Sequence, residues 1–301
     1  MMHLFVFGIG YSASAFIAQV RQTGAASIGG TARTREKVAE LRATGIDAVL
    51  FEGRGATTEV AARLAKTTHL LVSVPPGPAG DPVLLCHAED VAAAENLRSI
   101  VYLSTVGVYG DHAGAWVDEE TPMKPVSARS VERVAAETAW RNLARGAGKP
   151  LAILRLAGIY GPGRNALASI ADGTARRLVK PGQVFNRIHV GDIALAIAAA
   201  FARAADGAFN VTDDDPGPPQ DVVAHAAGLL GVPPPPEIPF ETAELSPMAR
   251  SFYGENKRVA NGKMKAGLGV TLRYPTYREG LEALLAEGEG RSPVRDRPAG
   301  S

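Results

Sequence analysis

Cysteine is nearly absent from this chain: Cys86 stands alone among 301 residues. A single thiol excludes an internal disulfide framework and fits a reducing compartment. Excess charge is absent too. The formal net charge is +1, which gives no electrostatic reason to expect a nucleic-acid or membrane partner. No apolar run approaches the roughly 18 residues of a membrane span. No His, Cys, Asp and Glu fall at metal-ligand spacing, so no metal is expected. Residues 1–7 are apolar but carry neither a basic leader nor a small-residue cleavage site. They are expected to form a buried first strand of a cytoplasmic protein.

What is present is ordinary globular composition, 46% hydrophobic and 21% charged, enough for one large α/β core. Short apolar runs at 4–7, 26–31, 48–51, 69–74, 99–104, 151–156 and 209–211 read as strands. Helix-type patterns at 12–22, 34–43, 57–66, 81–95 and 190–204 fall between them, with Thr34 as the N-cap of the second. This alternation predicts right-handed βαβ units and a Rossmann-type, doubly wound parallel sheet. Pro and Gly become dense after Gly158, which predicts a smaller C-terminal lobe. The expected division is a nucleotide domain over 1–160, with 186–212 returning to it, a lobe over 161–185 and 213–286, and a flexible tail over 287–301.

The run Gly8-Ile9-Gly10-Tyr11-Ser12-Ala13-Ser14 follows a strand and opens a helix. Gly8 permits the tight turn, Gly10 lets a pyrophosphate approach the backbone, and Ala13 allows close helix–strand packing. The helix N-terminus offers unpaired N–H groups. The second strand ends in Thr31-Ala32-Arg33-Thr34-Arg35. No carboxylate stands there to bond a ribose hydroxyl, and Arg33 can take a 2′-phosphate, so NADP is expected, with NAD as the alternative. Glu52, Ser73 and Pro75, at the ends of the next two strands, complete the expected cofactor set with Tyr11, Ser12 and Thr34.

Several segments together resemble the extended short-chain dehydrogenase/reductases, the NAD-dependent epimerase/dehydratase group. They are Tyr102-Leu103-Ser104-Thr105-Val106-Gly107-Val108-Tyr109-Gly110, Arg155-Leu156-Ala157-Gly158-Ile159-Tyr160-Gly161-Pro162-Gly163-Arg164 and Arg187-Ile188-His189-Val190-Gly191-Asp192. The likeness covers about residues 3–285. It implies that Thr105, beside Ser104, is the hydroxyl that bonds the reacting oxygen. It also implies an acid/base pair Tyr-x-x-x-Lys followed four residues later by Glu. Aligned on Glu137, this chain has Arg129 in place of the tyrosine and Arg133 in place of the lysine. Arginine does not give up its proton in proteins, so the usual proton donor is missing. The resemblance is therefore to an atypical branch.

Tyr109 and His112 are the nearest groups able to substitute for it. Tyr109 also reads as a packed aromatic and His112 as a surface histidine. Glu119-Glu120 resembles a loop-acid position and also reads as a solvated loop, while His189 is expected to support the sheet edge. Asp213-Asp214-Asp215 reads as a turn. On the substrate side the resemblance implies that arginines hold a nucleotide-sugar diphosphate, and Arg164, Arg176 and Arg187 are the candidates. Arg176-Arg177 also reads as a helix C-terminus. Two functions are left open: an NAD(P)-dependent oxidoreductase or epimerase acting on a small-molecule hydroxyl substrate, or an inactive NADP-binding sensor. A homodimer through the helix over 127–145 is implied by the wider superfamily.

Overall fold

The computed structural model describes residues 2–22 and 26–290. The first half runs β1 (Met2–Phe7), α1 (Tyr11–Gln22), β2 (Ala26–Ala32), α2 (Arg35–Ala43), β3 (Asp47–Leu50), α3 (Thr58–Leu64), β4 (His69–Val72), α4 (Pro82–Ala93) and β5 (Ser99–Thr105). A 3-10 turn (Val106–Tyr109) leads to β6 (Trp116–Val117), α5 (Ala128–Gly146), β7 (Leu151–Leu156) and β8 (Gly158–Tyr160). Then come α6 (Ala166–Ala171), β9 (Arg177–Val179), β10 (Arg187–His189), α7 (Val190–Ala202), β11 (Gly207–Val211) and α8 (Pro219–Leu229). The chain closes with β12 (Glu237–Pro239), α9 (Pro247–Phe252), β13 (Arg258–Val259), α10 (Gly262–Leu268) and α11 (Tyr277–Ala286).

Seven strands form one parallel sheet in the order β11-β7-β5-β4-β1-β2-β3. Strand residues alternate between faces. In β1, Leu4 and Val6 enter one core with Phe16 and Ile17 of α1 and Ile193, Ile197 and Phe201 of α7. Phe5 and Phe7 enter the other with Leu64, Val83 and Trp140. Covering both faces explains why β7 is buried at every residue. The chain leaves β1 in one direction to β2 and returns past it to β4, so a crevice opens at the carboxyl ends of β1 and β4, where doubly wound sheets hold ligands.

Four short strands missed by the sequence patterns lie in and beside the lobe. β9 pairs with β12, and β8 with β10, both parallel. A small core of Tyr160, Leu167, Ala226, Tyr277, Leu281 and Leu284 unites α6, α8 and α11. Two expectations are corrected here. Arg177 opens β9 rather than ending a helix; α6 stops at Ala171, which Asp172 caps. Residues 287–290 are not a free tail: Glu289 accepts bonds from Gly163 N and Asn165 Nδ2, both at 2.9 Å. Residues 291–301 lie outside the described residues. No helix among the described residues is long and apolar enough to cross a membrane.

Candidate functional site

The glycine turn is built as a cradle. Gly8 has φ +83°, and a Cβ there would lie 2.6 Å from Val74 Cγ1. Its amide donates to Thr31 Oγ1 at 3.0 Å, and the Ile9 amide to the Thr31 carbonyl at 3.1 Å, which ties the turn to β2. The space beside Gly10 is open. α1 starts immediately after it, with Ala13 fully buried against the sheet and Ser12 facing the crevice. The first-turn amides of a helix have no intrahelical acceptor and carry partial positive charge. The residues present therefore fit a dinucleotide's diphosphate.

Around the turn, Arg33 is exposed just past β2 and makes no hydrogen bond or ion pair with other described residues. Thr34 spends its hydroxyl on the Lys37 amide, capping α2 at 3.2 Å. Ser73, just past β4, lines the crevice. Glu52 and Pro75 are exposed outside that lining.

The crevice widens into a cleft of about 760 Å³ between the ends of β5 and β7 and the lobe. At the end of β5 neighbouring residues diverge. Ser104 turns inward and donates to Glu137 Oε1 at 2.6 Å. Glu137, fully buried on α5, also accepts from Arg155 Nε at 3.1 Å, Arg155 Nη2 at 2.8 Å and Arg141 Nη2 at 2.9 Å. Arg155 Nη1 donates to the Tyr109 hydroxyl at 2.8 Å, which donates to Asn210 Oδ1 at 2.7 Å. The Asn210 amide donates to Glu119 Oε1 at 2.6 Å. This closed network corrects one expectation. Tyr109 is fully buried away from the cleft, both sides of its hydroxyl are occupied, and burial pushes its pKa up despite Arg155. It is no stand-in for the missing tyrosine. Glu119 is likewise a structural partner, and His112 bonds the Tyr109 carbonyl at 3.1 Å through Nε2. His189 caps α7 by accepting from the Gly191 amide at 3.1 Å.

Thr105 faces the cleft. Its hydroxyl accepts the Gly107 amide at 3.1 Å, capping the 3-10 turn, and keeps its own proton for another partner. Ser130, one residue beyond the tyrosine position, was not singled out from sequence. A Cβ on Gly107 would lie 2.8 Å from Ser130 Oγ and 3.4 Å from Thr105 Oγ1, so both hydroxyls flank one glycine. Arg133 Nη1 donates to the Leu103 carbonyl at 2.8 Å and the Tyr102 hydroxyl at 3.1 Å, holding its guanidinium at the cleft floor. Arg129 lies on the rim, its guanidinium 6.0 Å from the Phe252 ring centroid.

The substrate-side arginines separate. Arg164 lines the cleft, 6.0 Å from the centroid of Tyr11, whose hydroxyl bonds the Pro162 carbonyl at 3.0 Å. Arg176 is a correction: it lies outside the cleft lining and bonds the Glu244 carbonyl at 2.8 Å. Arg187 lines the cleft but is tied to the carbonyls of Phe185 (3.0 Å), Gly217 (3.1 Å) and Pro218 (3.4 Å). Beside it, burial pushes Asp213 up to about 8, against the attraction of Arg187. The cleft also holds an ion pair that the sequence did not advertise, Lys257 Nζ to Glu255 Oε2 at 2.6 Å. Burial raises the pKa of Tyr160 and of Tyr277, the two tyrosines in the cleft wall. No group of His, Cys, Asp and Glu among the described residues could hold a metal ion.

Comparison with known proteins follows the same lines. Residues 84–212 match the NAD dependent epimerase/dehydratase family. A functionally unknown conserved protein from Silicibacter pomeroyi DSS is 49% identical, with TM-score 0.87 over 96% of this chain and all of that one. A 3-diazoavenalumate denitrifying reductase from a Streptomyces species is 28% identical over 261 residues, 78% of this chain and 82% of the relative. The dTDP-glucose 4,6-dehydratase of Bacillus anthracis, solved with NAD, shares the fold at TM-score 0.77 and 17% identity, over 96% of this chain and 98% of that one. The family match over residues 84–212 and the shared fold thus support an extended short-chain dehydrogenase/reductase-like family, of the NAD-dependent epimerase/dehydratase kind.

Proposed function

We propose that this protein is an NADP-preferring oxidoreductase that works without a catalytic tyrosine. One observation carries the reading. The open glycine cradle leads along the sheet's carboxyl edge into a cleft where Thr105, Ser130 and Arg133 converge. In this division, 1–160 with 186–212 holds the cofactor, and 161–185 with 213–286 covers the substrate. The amides at the head of α1 would take the diphosphate, and Arg33 the 2′-phosphate that distinguishes NADP from NAD. When bound, the nicotinamide supplies or accepts a hydride.

The chain's own residues then have distinct tasks. Thr105 and Ser130 donate hydrogen bonds to an oxygen or nitrogen on the reacting centre and orient it. Arg133 supplies fixed positive charge where negative charge develops. None of these removes a proton at neutral pH. The chemistry is therefore one in which hydride transfer needs orientation and charge more than a general base. The resemblance to a denitrifying reductase supports reduction as the direction. A nucleotide-sugar substrate, as the family implies, has less to hold it. Of the three candidate arginines only Arg164 keeps its guanidinium free of backbone carbonyls within the cleft.

The absence of a low-pKa tyrosine from the cleft also supports a second reading, an inactive NADP-binding sensor. Thr105→Ala separates the two. An oxidoreductase loses about 10²-fold in turnover while its NADPH affinity is kept. NADPH oxidation by the parent would be followed through the loss of reduced-nicotinamide absorbance, using carbonyl and diazo compounds as acceptors. Bound NADPH that no acceptor oxidises would leave the sensor.

A further inference from the structure

Six charged side chains line the cleft: Arg129, Arg133, Arg164, Arg187, Lys257 and Glu255. Glu255 neutralises Lys257. Arg187 is committed to three backbone carbonyls. Arg164 stands over Tyr11 at the head of α1, beside the diphosphate cradle. That leaves Arg129 and Arg133, neither of which makes a salt bridge among the described residues. Arg133 is pinned by the Leu103 carbonyl and the Tyr102 hydroxyl. Arg129 has the ring of Phe252 beside it, at 6.0 Å, and no hydrogen bond from its guanidinium to the described residues.

The position of Arg129 has a cost for the helix that carries it. It falls in the first turn of α5, which holds no acidic residue, and a cation there opposes the helix dipole. Helix stability therefore does not explain it. Meanwhile part of the wall is aliphatic: Leu156, Ile159, Val184, Val222 and Leu281. Asn186, the one carboxamide in the lining, donates to the Lys257 carbonyl and accepts the Val259 amide, at 3.0 and 2.8 Å. A carbon body packed on this part of the wall would leave water without leaving polar groups unpaired.

We propose that the cleft's substrate is a small carboxylate with an apolar body, aromatic in the simplest case, and that Arg129 grips its anionic head. This deepens the proposed function and rests on it. The guanidinium fork matches a carboxylate bidentately, and the aliphatic wall takes the body. Arg129 thus occupies the place of the missing tyrosine as a substrate-binding residue, fixing the ring or chain above the Thr105 and Ser130 hydroxyls.

The test uses the full-length protein saturated with NADP, titrated calorimetrically with benzoate and cinnamate, with the amide of each, and with UDP-glucose. At least one acid should bind about tenfold or more tightly than its amide. Arg129→Gln should weaken that acid about tenfold and leave the amide and NADP affinities unchanged, the latter serving as the check on folding. Arg129→Lys, which keeps the charge but loses the fork, should fall between. Acids that bind no better than their amides, an Arg129→Gln protein that binds the acid like the parent, or UDP-glucose binding more tightly than either acid would overturn the proposal. The cofactor is titrated first and alone. A protein that binds NADP but shows no acid preference overturns this inference only, whereas one that binds no NADP overturns the function on which it rests.

Discussion

Two sets of polar groups grow from the same stretch of β5 and α5, and they are built on opposite terms. On one side Ser104, Glu137, Arg155, Tyr109 and Asn210 are buried, and each finds its partner inside the protein. On the other, Thr105, Ser130, Arg129 and Arg133 face the cleft, and the two arginines have no carboxylate within salt-bridge reach among the described residues. Ser104 and Thr105 both border the cleft, but strand alternation commits the Ser104 hydroxyl to Glu137 and leaves the Thr105 proton available. The lesson is that a closed network specifies architecture, while uncompensated groups lining a cleft specify a ligand.

The largest effect should come from breaking the closed side. Glu137→Ala leaves Arg155 buried without its counter-charge, and removing one partner of such a pair costs about 3–5 kcal/mol. Urea unfolding at neutral pH measures it. A loss below about 1 kcal/mol would mean that the network is not the structural element described here.

The sequence made the sheet legible because its strands are continuous apolar runs between turn residues. The observed bounds of β1, β5 and β7 differ from the expected ones by two residues or fewer. The glycine turn was legible because backbone geometry demands those residues. The polar partners were not. Tyr109 meets Asn210 across 101 positions, and Glu119 meets the same residue across 91, distances at which no local pattern operates. The two- and three-residue strands β6, β8, β9, β10, β12 and β13 are too short to show a period. Arg176 and Arg187 carried the right chemistry for a diphosphate, but only the fold revealed that carbonyls already hold them.

A middle-sized effect should appear with pH, at the base of the lobe. Asp213 has a folded pKa near 8 against 3.8 when free, because burial disfavours its charge. Between those values the folded form holds a proton that the unfolded form has released, so stability falls as pH rises. Burial also lowers His189, from 6.5 to about 4, with Arg273 adding to the shift. There the unfolded form holds the extra proton, so the His189 contribution is present above pH 6.5 and is lost as pH falls toward 4. The two oppose each other below 6.5, and between 6.5 and 8 only the Asp213 slope remains. Asp213→Asn should flatten the decline in unfolding free energy across that upper window. An unchanged slope would assign it to another group.

The smallest effect should be on the open side. Arg129→Gln should change unfolding free energy by no more than about 0.5 kcal/mol, as for a surface residue without a structural partner. A loss comparable with that of Glu137→Ala would erase the contrast between the two sets.

The most direct test of the account is a fluorescence titration of the purified protein with NADPH and with NADH, repeated on Arg33→Asp. The account predicts that both bind the parent, NADPH about tenfold the tighter, and that the substitution reverses the order. Equal affinities in the parent would contradict the role given to Arg33, and binding of neither nucleotide would contradict the function itself.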